Sequence, residues 1–217
     1  MKKFTFKGVL DGFRSSVQAQ QRSDQEIQEN LRTEHFTLKK TFRHGFPFAP
    51  TALAYDPVQR LLAIGDKSGS LRILGRPGVD CHLMHGDSCS SVLHVVFLVN
   101  EGGLITATAD DTLHLWNYRQ KQPQIVHSLK FNRERVTCLH LPLQSKWLYV
   151  GTEKGNVHVV HIETFQLSGY VINWNKAIEI QRKTHPGAVI GLRDNPLDAS
   201  KVGTSSRLHF NLCLHTA

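Results

Sequence analysis

Three stretches of this chain, 62–74, 104–116 and 148–160, align with one another without gaps, and their first residues, Leu62, Leu104 and Leu148, lie 42 and 44 residues apart. A period near 40–45 is that of a β-propeller blade, a unit of four short strands. Each copy has a small residue at the same place, Gly65, Ala107 or Gly151. Four residues on comes Gly69, Asp111 or Gly155, at a turn where positive φ is often needed and Gly or Asp tolerates it. Then Leu71 and Ile73, Leu113 and Leu115, and Val157 and Val159 alternate with Arg72, His114 and His158. Alternation of period two puts an apolar set on one face of a strand.

Each repeat also has a strand-like stretch upstream, at 51–55, 92–97 and 136–141, followed by Asp56-Pro57, by Asn100-Glu101-Gly102-Gly103 and by Pro142. Outer strands are expected at 124–129 and 167–171. A fourth unit opens at His185-Pro186-Gly187, with an inner strand near 189–192 and a turn at Asp194-Asn195-Pro196. The expected fold class is therefore all-β: an incomplete WD-repeat propeller of about three and a half blades. Trp116-Asn117 is the only near match to the Trp-Asp dipeptide of such repeats, so spacing carries the assignment. Three regions follow: a basic then polar, largely disordered segment over 1–34, the partial propeller over 35–201, and a divergent tail over 202–217, where Val202-Gly203-Thr204-Ser205-Ser206 stands in place of a longer apolar strand. An open stack of blades leaves a bare face and strand edges, which predicts marginal stability and a tendency to pair with another chain.

Hydrophobic residues make up 40% of the chain and charged residues 20%, enough for a soluble core. No apolar run approaches the ~18 residues of a membrane span, and the start lacks the apolar core of a secretory signal. Cys81, Cys89, Cys138 and Cys213 show no paired spacing, so reduced thiols and a cytoplasmic setting are expected. The net charge of +8 favours acidic partners. In the first fourteen residues Lys2, Lys3, Lys7 and Arg14 surround Phe6, Leu10 and Phe13 at helical spacing. Such a segment can lie on an anionic membrane surface or pack on the domain behind it.

The candidate chemistry is thin. Cys81, His82, His85 and Cys89 are zinc-type ligands at a spacing that matches no common structural site, against which stands a surface loop between blades. His114 and His158 are explained by the repeat as strand-face residues, while His158 and His161 could form a ligand pair. Asp110-Asp111 resembles an acid–base pair but falls in a turn that Asp supports by local hydrogen bonds. Lys130, Arg133 and Arg135 with Phe131 form a small basic–aromatic cluster suited to acidic partners, or a solvated loop. Trp116, Trp147 and Trp174 are expected as packing anchors. Nothing assembles a nucleophile, a base and a site, so no enzyme, catalytic residue, cofactor, metal or nucleic-acid partner is expected.

Longer stretches carry a resemblance. Arg43-His44-Gly45-Phe46-Pro47, Leu74-Gly75-Arg76-Pro77-Gly78-Val79, Asp110-Asp111-Thr112-Leu113-His114-Leu115-Trp116-Asn117, Gln144-Ser145-Lys146-Trp147-Leu148-Tyr149-Val150-Gly151 and Ser168-Gly169-Tyr170-Val171-Ile172 resemble the syntaxin-binding branch of the lethal giant larvae family, from Met1 to about Lys201. The resemblance implies a scaffold with two WD-repeat propellers that regulates SNARE-dependent exocytosis, cytoplasmic and peripheral at the plasma membrane. It also implies a C-terminal SNARE-like coil that pairs with syntaxin-type partners. These 217 residues hold no heptad segment of that kind, so syntaxin pairing is expected of the full-length parent. A membrane-surface module acting through the basic N-terminus, or a truncated product without function, are the alternatives.

Overall fold

A computed structural model describes residues 32, 34, 45, 47–86, 90–120, 122–132, 134–173, 187–195, 198–206 and 210–214. The chain divides into two units, Met1–Thr41 and Phe42–Ala217, and every described strand lies in the second. The expected membrane-contact residues Lys2, Lys3, Lys7 and Arg14 lie outside the described residues.

The described elements are all-β. The first sheet holds β1 (Pro50–Asp56), β2 (Leu61–Asp66), β3 (Ser70–Leu74) and β4 (Asp80–Met84) in sequence order. The second holds β5 (Val92–Leu98), β6 (Gly103–Thr108), β7 (Thr112–Asn117) and β8 (Gln124–Lys130). The third holds β9 (Val136–His140), β10 (Trp147–Thr152), β11 (Val157–His161) and β12 (Gln166–Ile172). A fourth has three described strands, β13 (Val189–Asn195), β14 (Asp198–Ser206) and β15 (Phe210–Leu214). All pairings are antiparallel meanders. These are blades of an incomplete propeller, with β1, β5, β9 and β13 as the innermost strands.

The repeat is exact in register. The three turns have φ of 84° at Gly69, 62° at Asp111 and 77° at Gly155. Every innermost strand carries a bulge one residue in: Thr51, Leu93, Thr137 and Ile190 are the extra residues. Two of these extra residues lock neighbouring blades, since the hydroxyls of Thr51 and Thr137 donate to the carbonyls of Val92 and Val189. The small residues of the repeat now have a reason. A Cβ on Gly65 would lie 2.5 Å from Val92, and one on Gly151 would lie 2.8 Å from Val189. The next blade's leading valine fills that notch, as Val136 does beside Ala107.

Burial follows these junctions. Ala63, Leu71 and Ile73 pack on Val92, Val95, Phe97, Leu104 and Trp116 between the first and second sheets. Ile105, Ala107, Leu113, Leu139, Leu148 and Val150 fill the second junction. Tyr149, Val157, Val159, Val189, Leu192 and Val202 fill the third.

Two expectations are corrected. Residues 202–206 are not tail but part of β14, and 210–214 add β15. Val202 and Thr204 are buried at alternate positions, so small β-branched residues meet the period-two requirement without a long apolar run. Cys81 and His82 lie in the outer strand β4, not in a loop, because Cys81 and Leu83 alternate inward against the first junction.

Candidate functional site

The best-built polar constellation joins the first two blades. Trp116 Nε1–H donates to Thr106 Oγ1 at 3.1 Å, and Thr106 Oγ1 lies 2.7 Å from His85 Nε2. His85 Nδ1 lies 2.7 Å from the carbonyl oxygen of Gly69. A carbonyl only accepts, so Nδ1 carries the proton, Nε2 accepts the Thr106 hydroxyl, and Thr106 accepts from the indole. His85, Thr106 and Trp116 are all buried. Burial, opposed by the Gly69 contact, lowers the basicity of the His85 imidazole. Both ring nitrogens of His85 are thereby engaged in this chain; Cys89 lies outside the described residues, and among those described no group of three or more ligating side chains is placed to hold a metal. Cys81 and Cys138 are free thiols.

The turn carboxylates are likewise committed. Asp56, fully buried, accepts the N–H groups of Val58 and Gln59 on one oxygen and that of Asn100, in the next blade, on the other. Asp66 accepts from Ser68 and Ser70. Asp110 accepts the hydroxyls of Thr108 and Thr112; burial pushes its carboxyl up, but these hydrogen bonds outweigh it and hold it below the usual range. Asp111 accepts the Val136 N–H across the second junction. The Asp110-Asp111 pair therefore supports a turn and a blade contact.

Among the described residues, a concave site faces solvent in the third blade. A cavity of about 340 Å³ opens between the end of the second blade, at Lys130, Phe131 and Asn132, and the outer strand of the third, at Leu167, Gly169, Tyr170 and Val171. Its floor is Glu134 and His158, whose Nε2 lies 3.3 Å from Glu134 Oε2. Glu134 also takes the Thr152 hydroxyl and the Asn156 amide. Burial raises its carboxyl, yet the hydrogen bonds from Thr152, His158 and Asn156 win and keep it ionised below the ordinary glutamate range. The cleft exists because β12 bulges: Leu167 pairs with Val160 and Val171 with His158, so three residues of β12 span one of β11. Gly169, at φ 77°, turns the bulge and leaves Tyr170 exposed. The walls can take an apolar side chain, and the floor and Lys130 offer polar contacts.

The basic–aromatic cluster is thus partly redrawn. Phe131 is buried, edge-on to His158 at 5.6 Å, while Lys130 and Arg135 are exposed and Arg133 lies outside the described residues. His158 and His161 do not converge: His158 meets Glu134 and His161 stacks edge-on against Trp147 at 4.8 Å, because a three-residue step on a strand reverses the face. Trp116 and Trp147 are packing residues; Trp174 lies outside the described residues. The cleft itself was missed. Its one sequence signal is Ser168-Gly169-Tyr170 interrupting an outer strand.

No protein-family model matches the chain. It is 34% identical to the lethal(2) giant larvae protein of Drosophila melanogaster over 182 residues, 79% of this chain and 16% of that protein. It is 32% identical over 193 residues to the mouse LLGL scribble cell polarity complex component 2, covering 80% of this chain and 19% of the relative. Its homologues are lethal giant larvae proteins. A rat homologue, lethal(2) giant larvae protein homolog 1, is 35% identical over 156 residues, 64% of this chain and 15% of its own length. The chain thus spans about a sixth of the length of these lethal giant larvae relatives. Among solved structures, the computationally designed proteins Ika8 and Ika4 superpose with TM-scores of 0.58 and 0.57 at 18% identity. Each match covers 79% of this chain, with 47% of Ika8 and 94% of Ika4. At that identity the likeness concerns the fold. No helix among the described residues is long and apolar enough to cross a membrane.

Proposed function

We propose that this chain is a non-enzymatic protein-binding scaffold of the lethal giant larvae type, built from WD-type repeats and drawn from the syntaxin-binding tomosyn branch. It acts in the cytoplasm, peripherally at the plasma membrane, in regulating SNARE-dependent exocytosis. The observation that carries the scaffold reading is the assignment of the polar side chains. Asp56, Asp66, Asp110, Asp111 and Glu134 hold turns and blade contacts, and the described histidine–threonine chain ends on an indole and a carbonyl. Among the described residues, shaped surface such as the cleft beside Tyr170 supports a binding role. The relatives support the family setting, one of them carrying a polarity complex in its name.

The test is retention of syntaxin from tissue lysate. The full-length parent retains it, and the 217-residue chain retains little, because pairing belongs to a coil that these residues do not contain. Strong retention by this chain moves the contact onto the blades and defeats that division of labour. A second reading, an anionic membrane contact through Lys2, Lys3, Lys7 and Arg14, draws on the +8 charge. Flotation with vesicles with and without phosphatidylserine decides it: deletion of residues 1–14 abolishes flotation on anionic vesicles, and unchanged flotation ends the idea.

A further inference from the structure

The cleft beside Tyr170 has an anion at its floor and apolar walls, and the combination restricts what can enter it. Every lining residue falls between 130 and 171, within the second and third blades. Phe131, Leu167, Tyr170 and Val171 supply the apolar surface, and Leu167 and Tyr170 are exposed. At the floor, Glu134 keeps 13% of its side chain open to solvent. Its two oxygens are unequally used. Oε2 accepts the Thr152 hydroxyl and lies 3.3 Å from His158 Nε2. Oε1 has a single long contact, from the Asn156 amide at 3.3 Å, and that amide also lies 3.5 Å from Oε2. An ionised carboxylate has room for about four acceptor contacts, so Oε1 keeps capacity for a donor. The hydrogen bonds that hold the carboxyl below its ordinary range keep it charged at neutral pH.

These features rank the possible occupants. An aliphatic side chain would seal the carboxylate from water and return no hydrogen bond, which is strongly unfavourable for a charge. An acidic side chain would add a like charge beside it. A side chain with an apolar stem and a cationic tip satisfies both wall and floor. Arginine does so better than lysine, because its planar guanidinium forks onto a carboxylate and also lies flat on an aromatic ring such as that of Tyr170. Lys130 on the rim opposes a cation, but it is exposed and its charge is hydrated, whereas Glu134 is largely shielded.

We propose that this cleft takes an arginine side chain of a partner polypeptide, with the guanidinium on Glu134 Oε1 and the stem along Leu167 and Tyr170. The inference rests on the binding-scaffold reading above and gives that scaffold a recognition pocket.

The probe is N-acetyl-arginine methylamide, titrated into the whole 217-residue chain beside the corresponding leucine and aspartate derivatives. The ring resonances of His158 and Tyr170 report occupancy by NMR. The arginine derivative shifts them and saturates, and the other two bind about tenfold more weakly or less. Glu134→Gln keeps the shape but not the charge, and weakens arginine binding by about tenfold. Tyr170→Ala, at an exposed position that the fold tolerates, also weakens it, read at His158. Lys130→Ala tightens it; weaker binding in that variant would point to an acidic partner and overturn the proposal. Equal binding of the leucine derivative overturns it, as does an arginine response that is not saturable. So does one that Tyr170→Ala and Lys130→Ala leave unchanged, a criterion that stands even where Glu134→Gln does not fold. Each of these failures removes the arginine pocket alone, since retention of syntaxin tests the scaffold reading without involving the cleft.

Discussion

Thr106 is one of the residues through which the first two blades exchange a hydrogen bond, and its burial makes its contribution measurable. Valine has the same shape but neither donates nor accepts. Thr106→Val leaves the Trp116 N–H and the His85 Nε2 buried without their partner, at about 1–3 kcal/mol for each orphaned group. Urea unfolding is expected to show a loss of about 2–4 kcal/mol, against a change within about 0.5 kcal/mol for Thr164→Val on the exposed surface. The histidines add a pH dependence of definite sign. Burial lowers the basicity of His85, His94 and His114 from the ordinary 6.5, with the neighbouring His85 adding to the effect at His114. Below 6.5 the unfolded chain binds protons that the folded one refuses, so stability is complete above that value and falls as the pH drops beneath it. The carboxyls of Asp110 and Glu134, held low in the fold, extend the loss further into acid, below their ordinary 3.8 and 4.5. Urea midpoints should fall from pH 8 to pH 5, and His85→Gln should flatten that slope. A midpoint that rises toward pH 5 contradicts the argument.

At the scale of strands and sheets, the notch and the leading valine form one unit. Gly151→Ala places a methyl 2.5 Å from Cys138 Sγ and 2.8 Å from Val189, an overpacking that costs about 1–3 kcal/mol. Val189→Ala opens space at the same point, so the double variant is expected to lose about 0.5–3 kcal/mol less than the sum of the two single changes. Strict additivity in a denaturation cycle would show that the blades do not meet through this pair. Much of this layer was legible in the sequence, because alternation and the turns at Gly69, Asp111 and Gly155 recur with the repeat. Where side chains were small or polar, the pattern failed. β4 alternates through Cys81 and Leu83 between Asp80 and His82, which mimics a ligand-rich loop. β14 buries only Val202 and Thr204 of its described side chains. The cleft by Tyr170 depends on a three-against-one bulge, a register property that one strand's sequence does not encode. His85 gains its role from Gly69 and Thr106, which lie 16 and 21 residues away.

For the molecule as a stack of blades, stability is a sum over neighbours. Among the described residues, the second and third blades are covered on both faces by other sheets, while the first and fourth each bury one face against a neighbouring sheet. Apolar burial contributes about 25 cal/mol per Å², so the end blades hold less of the total and open first. Native-state hydrogen exchange reads this directly, since local openings span from near zero to the global unfolding free energy. The amides of β6 and β10 are expected to exchange slowest, those of β1 and β13 sooner, and the difference should vanish in urea as global unfolding takes over. Uniform protection across all four sheets would mean that the chain unfolds as one cooperative body and that its junctions are not separable. A gradient has a consequence for binding too. The cleft beside Tyr170 lies between the two best-supported blades, so its shape survives fluctuations that release the ends. Rigid recognition therefore belongs at the middle of the stack.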